Sequence, residues 1–239
     1  MLSKKPIAAN ERLIFALDVP GAAAAKELVD KLGGSVDFYK LGLELFMADG
    51  YFELIDWLSD RGKKCFVDLK FFDVPNTVAS AVRQLRARTN APMFATVHGN
   101  DKILEAACQE KNGIKILAVT VLTSLDDADL KSLGFQVNAE ELVLSRAQRA
   151  LDIGCDGVIS SGLEAERLRS QLGERFLIVV PGIRPVANVD DQKRTVNVEQ
   201  AFLKGADYIV VGRPIKDAPD PKRAAENIQA KIANLFGRV

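Results

Sequence analysis

Lys64-Cys65-Phe66-Val67-Asp68-Leu69-Lys70-Phe71 reads as a strand whose nearly continuous apolar character is broken by charge only near its end. Successive strand residues point to opposite faces, so Asp68 and Lys70 project together into whatever the strand lines. Asp73 follows closely. An ammonium set among carboxylates keeps its proton, because neighbouring negative charge favours the charged form. Such a lysine is a proton donor rather than a nucleophilic amine. Taken alone the triplet has a plainer reading, since Asp-x-Lys pairs are frequent and solvated pairs add little to stability. Its surroundings decide between the two.

Seven further runs of the same kind occur, at 12–18, 36–41, 92–98, 114–122, 157–160, 176–180 and 208–211. Each is short and almost uninterrupted in apolarity, as a strand buried on both faces must be. Helix-compatible segments separate them: an alanine-rich one at 21–31, an amphipathic one at 49–61, one opening on proline at 75–88, and others at 139–153, 164–172, 198–204 and 220–236. This alternation favours a single-domain α/β fold, a closed parallel (β/α)8 TIM barrel over residues 1–239, although counting alone leaves a doubly wound open sheet in play. The longest irregular segment, 181–197, reads as a loop over the barrel mouth.

In such a barrel the C-terminal ends of the strands form the active face. The runs end in Asp18, Lys40, Asp68 with Lys70, His98, Thr120 with Thr123, Ser160 with Ser161, Pro181-Gly182-Ile183-Arg184, and Gly212-Arg213. Charges that interrupt apolar runs are retained only with partners or a purpose. Asp18, Lys40, Asp68, Lys70 and Asp73 are expected to form a nearly neutral array. After the last two runs, Gly182 and Gly212 let backbone approach a ligand and Arg213 adds a bidentate cation, at the place where barrel enzymes often bind phosphate. His98 is the sole histidine and is read as structural.

The composition excludes several classes. Thirty-two basic and 32 acidic residues cancel, so no net field draws the 239-residue chain to nucleic acid, and any anion site is local. Cys65, Cys108 and Cys155 lie far apart in sequence with no CxxC pair, and are read as reduced, buried spacers. Residues 1–12 lack the apolar stretch of a signal peptide, and no run approaches the length of a membrane span. A cytoplasmic protein with neither membrane nor nucleic-acid partner is expected.

Phe15-Ala-Leu-Asp18, Tyr39-Lys40-Leu-Gly, Asp68-Leu-Lys70-Phe-Phe-Asp73-Val-Pro-Asn-Thr77, Thr120-Val-Leu-Thr123-Ser, Pro181-Gly-Ile-Arg184-Pro, Asp191-Gln192 and Gly205-Ala-Asp-Tyr-Ile-Val-Val-Gly212-Arg213 together resemble the orotidine 5′-phosphate decarboxylase family, in family order from about residue 12 to 215. The resemblance implies a (β/α)8 barrel that converts orotidine 5′-monophosphate to UMP and CO2 without metal or organic cofactor. By position it implies that Lys70 protonates C6 of the pyrimidine and that Asp68 lies beside the departing carboxylate. Asp18 and Lys40 would contact the ribose, with Lys40 also ordering the charges, and Thr123 would border the base. Arg184, Gln192, Gly212 and Arg213 would belong to the phosphate end and its closing loop. Asp73 and Thr77 would reach into a partner's site, making the protein a homodimer. Two residues depart from the usual pattern: Phe72 stands where the family has histidine, and Gly99 where it has alanine.

Three rival readings remain. A Schiff-base aldolase needs a neutral amine, which flanking aspartates oppose. A metal-dependent sugar-phosphate decarboxylase or synthase would use a carboxylate cluster to hold Mg²⁺. A purely nucleotide-binding barrel gains little from a buried carboxylate near an anionic ligand.

Overall fold

All eight apolar runs form strands: β1 Leu13–Ala16, β2 Phe38–Leu41, β3 Lys64–Phe71, β4 Pro92–Val97, β5 Lys115–Val119, β6 Gly157–Ile159, β7 Leu177–Val180 and β8 Tyr208–Val211. In the computed structural model, which describes residues 2–88, 92–184 and 195–237, they close into a barrel in chain order. Every pairing is parallel, and β1 meets β8 with Leu13 opposite Ile209. The open-sheet alternative is thereby removed. Several strands stop short of their apolar runs, so that Asp18 and Thr120 lie just beyond the last residues of β1 and β5.

The expected helices appear within one or two residues of their bounds as α1 Ala22–Leu32, α3 Tyr51–Asp60, α4 Pro75–Arg88, α7 Ala139–Ile153, α8 Ala165–Leu172, α9 Val198–Leu203 and α11 Pro221–Phe236. Helix α5, Asp101–Gln109, is an addition to that reading. Its signal was nevertheless present: the Asn100 side chain accepts from the Ile103 N–H, and Ile103, Leu104 and Ala107 form a buried stripe. Three short helices, α2 Leu43–Phe46, α6 Asp127–Ser132 and α10 Arg213–Lys216, decorate the connections. Of the expected mouth loop, residues 185–194 lie outside the described residues, but its two ends are tied together. Ile183 bridges Val196, and the Arg184 N–H donates to the Val196 carbonyl at 3.0 Å.

Strand periodicity sorts the buried residues into two cores. Outward-facing Leu13, Phe15, Leu17, Tyr39 and Leu41 pack beneath the helices, while Ile14, Phe38, Phe66, Phe94, Leu117, Leu177 and Tyr208 fill the barrel. The interior is plugged by aromatic rings: Phe38 lies 5.1 Å and Tyr208 5.2 Å from the Phe94 centroid, with Phe66 at 5.8 Å. Edge-to-face and tilted contacts of this kind add about 0.5–1.5 kcal/mol each beyond area burial. The next inward-facing position on β2, β3 and β4 lies two residues further toward the C-terminal mouth. Those positions are Lys40, Asp68 and Thr96. The aromatic layer is thus the floor on which the polar layer stands.

At the opposite end the first residues of the chain are fastened to Asp207, just before β8. This fully buried carboxylate accepts from Lys5 Nζ at 3.0 Å, from the Ile178 N–H at 2.9 Å, and from Ser3 and Arg169. Arg12, also buried, donates to the Asp207 carbonyl and lies 3.8 Å over the Phe236 ring.

Candidate active site

The C-terminal mouth holds a cavity of about 250 Å³. Along one side runs a chain of charges that alternates in sign across three neighbouring strands. Asp18, beyond β1, meets Lys40 Nζ of β2 at 3.4 Å; Lys40 Nζ meets Asp68 Oδ2 of β3 at 3.3 Å; and Lys70 Nζ donates to Asp68 Oδ1 at 3.0 Å. Two carboxylates face two ammoniums, so the array is neutral. Burial opposes charge on Asp68, but Lys40, Lys70 and the hydrogen bonds from Lys70 and Thr96 outweigh it and hold the carboxyl below its ordinary range. Burial likewise opposes charge on Lys40, and Asp68 with Asp18 overcomes it, pushing the lysine up. Both groups therefore keep their charges at neutral pH.

Asp68 and Lys70 do share a face, as alternation requires, but the strand is not regular there. Val67 pairs with Ala95 and Phe71 with Val97, so β3 spends four residues where β4 spends two. Within this bulge Lys70 adopts φ +48°, in the left-handed region that a side chain makes unfavourable. Bulges of this kind re-aim side chains beside active sites.

Val119, Val121 and Ile159 form an apolar wall of the cavity, and Thr123 lines it with its side chain buried. Gly182, Arg184, Gly212 and Arg213 lie at the end built by the loops after β7 and β8. Gly182 has φ +74°, a conformation suited to a residue without Cβ. Arg184 is buried and donates to its neighbour's carbonyl, Ile183 O, at 3.0 Å, while Arg213 is exposed. Gln192 lies outside the described residues.

Asp73 and Thr77 take no part in this cavity within one chain. Both are exposed; the Asp73 carboxylate accepts the Val74 N–H at 2.6 Å, and Thr77 sits in the first turn of α4. The whole stretch from Phe72 to Thr77 faces outward. The local array therefore contains Asp18, Lys40, Asp68 and Lys70 only.

His98 points away from the main cavity, its ring 5.4 Å from that of Phe72. Burial, with Arg146 nearby, pushes its pKa below the ordinary value, so the imidazole is neutral at neutral pH. The two departures from the family pattern belong together: a Cβ on Gly99 would stand 2.6 Å from Ile103 Cδ1 and 3.0 Å from Phe72 Cδ2. The Phe72 ring crowds the space that an alanine methyl at 99 would need.

Two residues escaped the reading of the sequence. Lys216 lines the cavity and donates to the Asp18 carbonyl at 3.0 Å, a cation that could have been noticed three residues after Arg213. Thr96 donates to Asp68 Oδ1 at 2.9 Å. Its signal was the two-residue spacing from Phe94. Among the described residues no three His, Cys, Asp or Glu side chains are placed to share a metal ion. Both carboxylates of the array are engaged by lysines, which would compete with a divalent cation. That weighs against the metal-dependent reading.

Fold and mouth define a (β/α)8 barrel with a charge-paired, half-apolar site at the C-terminal ends of its strands. Residues 11–228 match the model of the family described as orotidine 5′-phosphate decarboxylase / HUMPS. The chain is 60% identical to the orotidine 5′-phosphate decarboxylase of Methylococcus capsulatus, over 98% of this chain and 97% of that one, and 50% identical to that of Stenotrophomonas maltophilia, over 97% and 96%. It superposes on the crystal structure of orotidine 5′-phosphate decarboxylase from Lactobacillus acidophilus with a TM-score of 0.80 and 36% identity, covering 93% of this chain and 99% of that one. The chain belongs to the orotidine 5′-phosphate decarboxylase / HUMPS family.

Proposed function

We propose that this protein decarboxylates orotidine 5′-monophosphate to UMP and CO2 in pyrimidine synthesis, with Lys70 as the acid that protonates C6. The observation that carries this reading is the buried Asp68 carboxylate bracketed by Lys40 and Lys70 at 3.3 and 3.0 Å on the cavity wall. Loss of CO2 from a vinylic carbon leaves an electron pair in the ring plane, where no adjacent carbonyl delocalises it. An ammonium already aimed at that position stabilises the developing charge and then delivers a proton to it. As the C–C bond breaks its electrons stay on C6; the new C6–H bond takes the proton of Lys70.

Asp68 faces the departing carboxylate. Two unit charges about 4 Å apart at an effective dielectric of ~20 interact by about 4 kcal/mol. The largest enzymatic accelerations correspond to about 23 kcal/mol, so repulsion is a minor part. The remainder is assigned to preorganised Lys70 and to binding energy from the phosphate end, realised in the transition state. Asp18 and Lys40 hold the ribose hydroxyls, Thr123 borders the base, and Arg184, Gln192, Gly212 and Arg213 serve the phosphate.

The exposed stretch containing Asp73 and Thr77 completes the site of a second subunit, making the enzyme a homodimer. A monomer in sedimentation at assay concentration would remove that part. No helix among the described residues is long and apolar enough to cross a membrane. The deciding experiment is the loss of orotate absorbance on adding enzyme to orotidine 5′-monophosphate. Lys70→Ala is expected to be folded and inactive; turnover retained in that variant would exclude the proton-donor role.

A further inference from the structure

We propose that Thr96 is a positioning residue for this chemistry, its one hydroxyl fixing both the backbone of Lys70 and the carboxylate of Asp68. The inference rests on the decarboxylase reading above and adds to it a residue outside the array of charges. Three independent observations lead to it. First, the β3 bulge lies between the Val67–Ala95 and Phe71–Val97 pairs, so the backbone from Asp68 to Lys70 has no regular partner on β4. Second, Lys70 is one of two non-glycine residues with positive φ among the described residues. A side chain held there persists only where the surroundings over-determine it. Third, Thr96 is fully buried on β4, and the Lys70 N–H donates to its Oγ1 at 2.9 Å while Oγ1 lies 2.9 Å from Asp68 Oδ1.

The directions of these bonds are forced. A backbone N–H can only donate, and an ionised carboxylate can only accept, so the hydroxyl must accept from Lys70 and donate to Asp68. A threonine hydroxyl has a single proton, and here it is committed to the carboxylate. The hydroxyl therefore stands in for the missing ladder bond and at the same time sets the orientation of the carboxylate that receives Lys70 Nζ. One side chain links the backbone of the proton donor to its counter-ion. Thr96 stands directly above the Phe94 ring layer, so its Cβ is carried by a close-packed strand rather than a loop.

Removing the hydroxyl while keeping the shape leaves the Lys70 N–H and one Asp68 lone pair without this partner. The bulge then loses its tether and Lys70 Nζ its fixed direction. Ground-state nucleotide contacts elsewhere in the cavity are untouched. The expected signature is a fall in turnover with little change in binding.

The test compares Thr96→Val with Thr96→Ser by steady-state decarboxylation and by calorimetric titration with UMP. Thr96→Val is expected to lose roughly 10- to 100-fold in kcat, the range for a hydrogen bond to a charged group, with UMP affinity within about 3-fold of wild type. Thr96→Ser, which keeps the hydroxyl, is expected to stay within about 3-fold in both. Turnover in Thr96→Val equal to wild type overturns the inference, as does an equal loss in both variants or a loss confined to KM and UMP affinity. If Thr96→Val is insoluble, Thr96→Ala against Thr96→Ser makes the same comparison of hydroxyl present and absent. A wild-type protein without decarboxylase activity would remove the decarboxylase reading and this inference with it, whereas an active wild type with an indifferent Thr96→Val removes this inference alone.

Discussion

Asp68→Asn removes a charge while keeping the side chain's shape, turning the oxygen that meets Lys40 into an amide donor, and its consequences separate binding from catalysis. The array balances Asp18 and Asp68 against Lys40 and Lys70, with contacts of 3.4, 3.3 and 3.0 Å. Asparagine keeps the shape of the side chain, leaves Lys40 paired with Asp18 and takes from Lys70 its carboxylate partner. Because the Asp68 side chain is only 12% exposed, solvent screens its field weakly. With the substrate carboxylate about 4 Å away and an effective dielectric of ~20, the repulsion removed is about 4 kcal/mol. At 1.4 kcal/mol per decade this corresponds to up to ~10³-fold tighter binding of a ligand that carries the carboxylate. UMP lacks that group, so the affinity ratio of orotidine 5′-monophosphate to UMP isolates the effect from shared contacts. The variant is expected to raise this ratio toward ~10³-fold while turnover, followed by orotate absorbance, falls steeply. Equilibrium titration of the slow variant with both nucleotides supplies the ratio, and a thermal melt checks the fold. A ratio unchanged from wild type, or an affinity for orotidine 5′-monophosphate that weakens, would refute the placement of Asp68 beside the departing carboxylate.

Other expectations follow from the same contacts. Asp207→Ala strands the partly buried Arg169 and Lys5 without their carboxylate. It should cost about 3–5 kcal/mol and lower the melting temperature on the order of 10 °C, read by calorimetry, with near-normal turnover in the protein that remains folded. The burial-depressed His98 binds its proton more weakly in the folded than in the unfolded chain. Stability from this group is present above the ordinary histidine value of about 6.5 and is lost as pH falls through the folded value, so urea midpoints should decline below about pH 6.5 and do so less in His98→Asn. By contrast, the depressed Asp68 contributes stability above the ordinary aspartate range that is lost only at lower pH, and the raised Lys40 contributes stability that is lost only above the ordinary lysine range. Titration of Asp68 and Lys40 should therefore leave no inflection in kcat/KM between about pH 5 and 9, and one that vanishes in Asp68→Asn would contradict this.

The sequence by itself determined the eight strands, because an apolar run buried on both faces must be continuous, and it singled out Asp18, Lys40, Asp68 and Lys70, because charge inside such a run is costly without a partner. The two-residue period of a strand was enough to put Asp68 and Lys70 on one face. The helix at Asp101–Gln109 was equally legible from Asn100 and its apolar stripe. What only the tertiary structure decided are relations between distant positions. Thr96 acts on Asp68 and Lys70 through a shift in strand register, Lys216 reaches back across the barrel closure to Asp18, and Asp207 gathers Lys5 and Arg169. Cys108 and Cys155, unrelated along the chain, meet with sulfurs 3.6 Å apart. Asp73 was placed in the array by its nearness in sequence, and the turn after β3 carries it outward instead. Local patterns report which residues are buried and on which face. Register, bulges and barrel closure are set by packing among all eight strands at once, and no local stretch of chain contains that information.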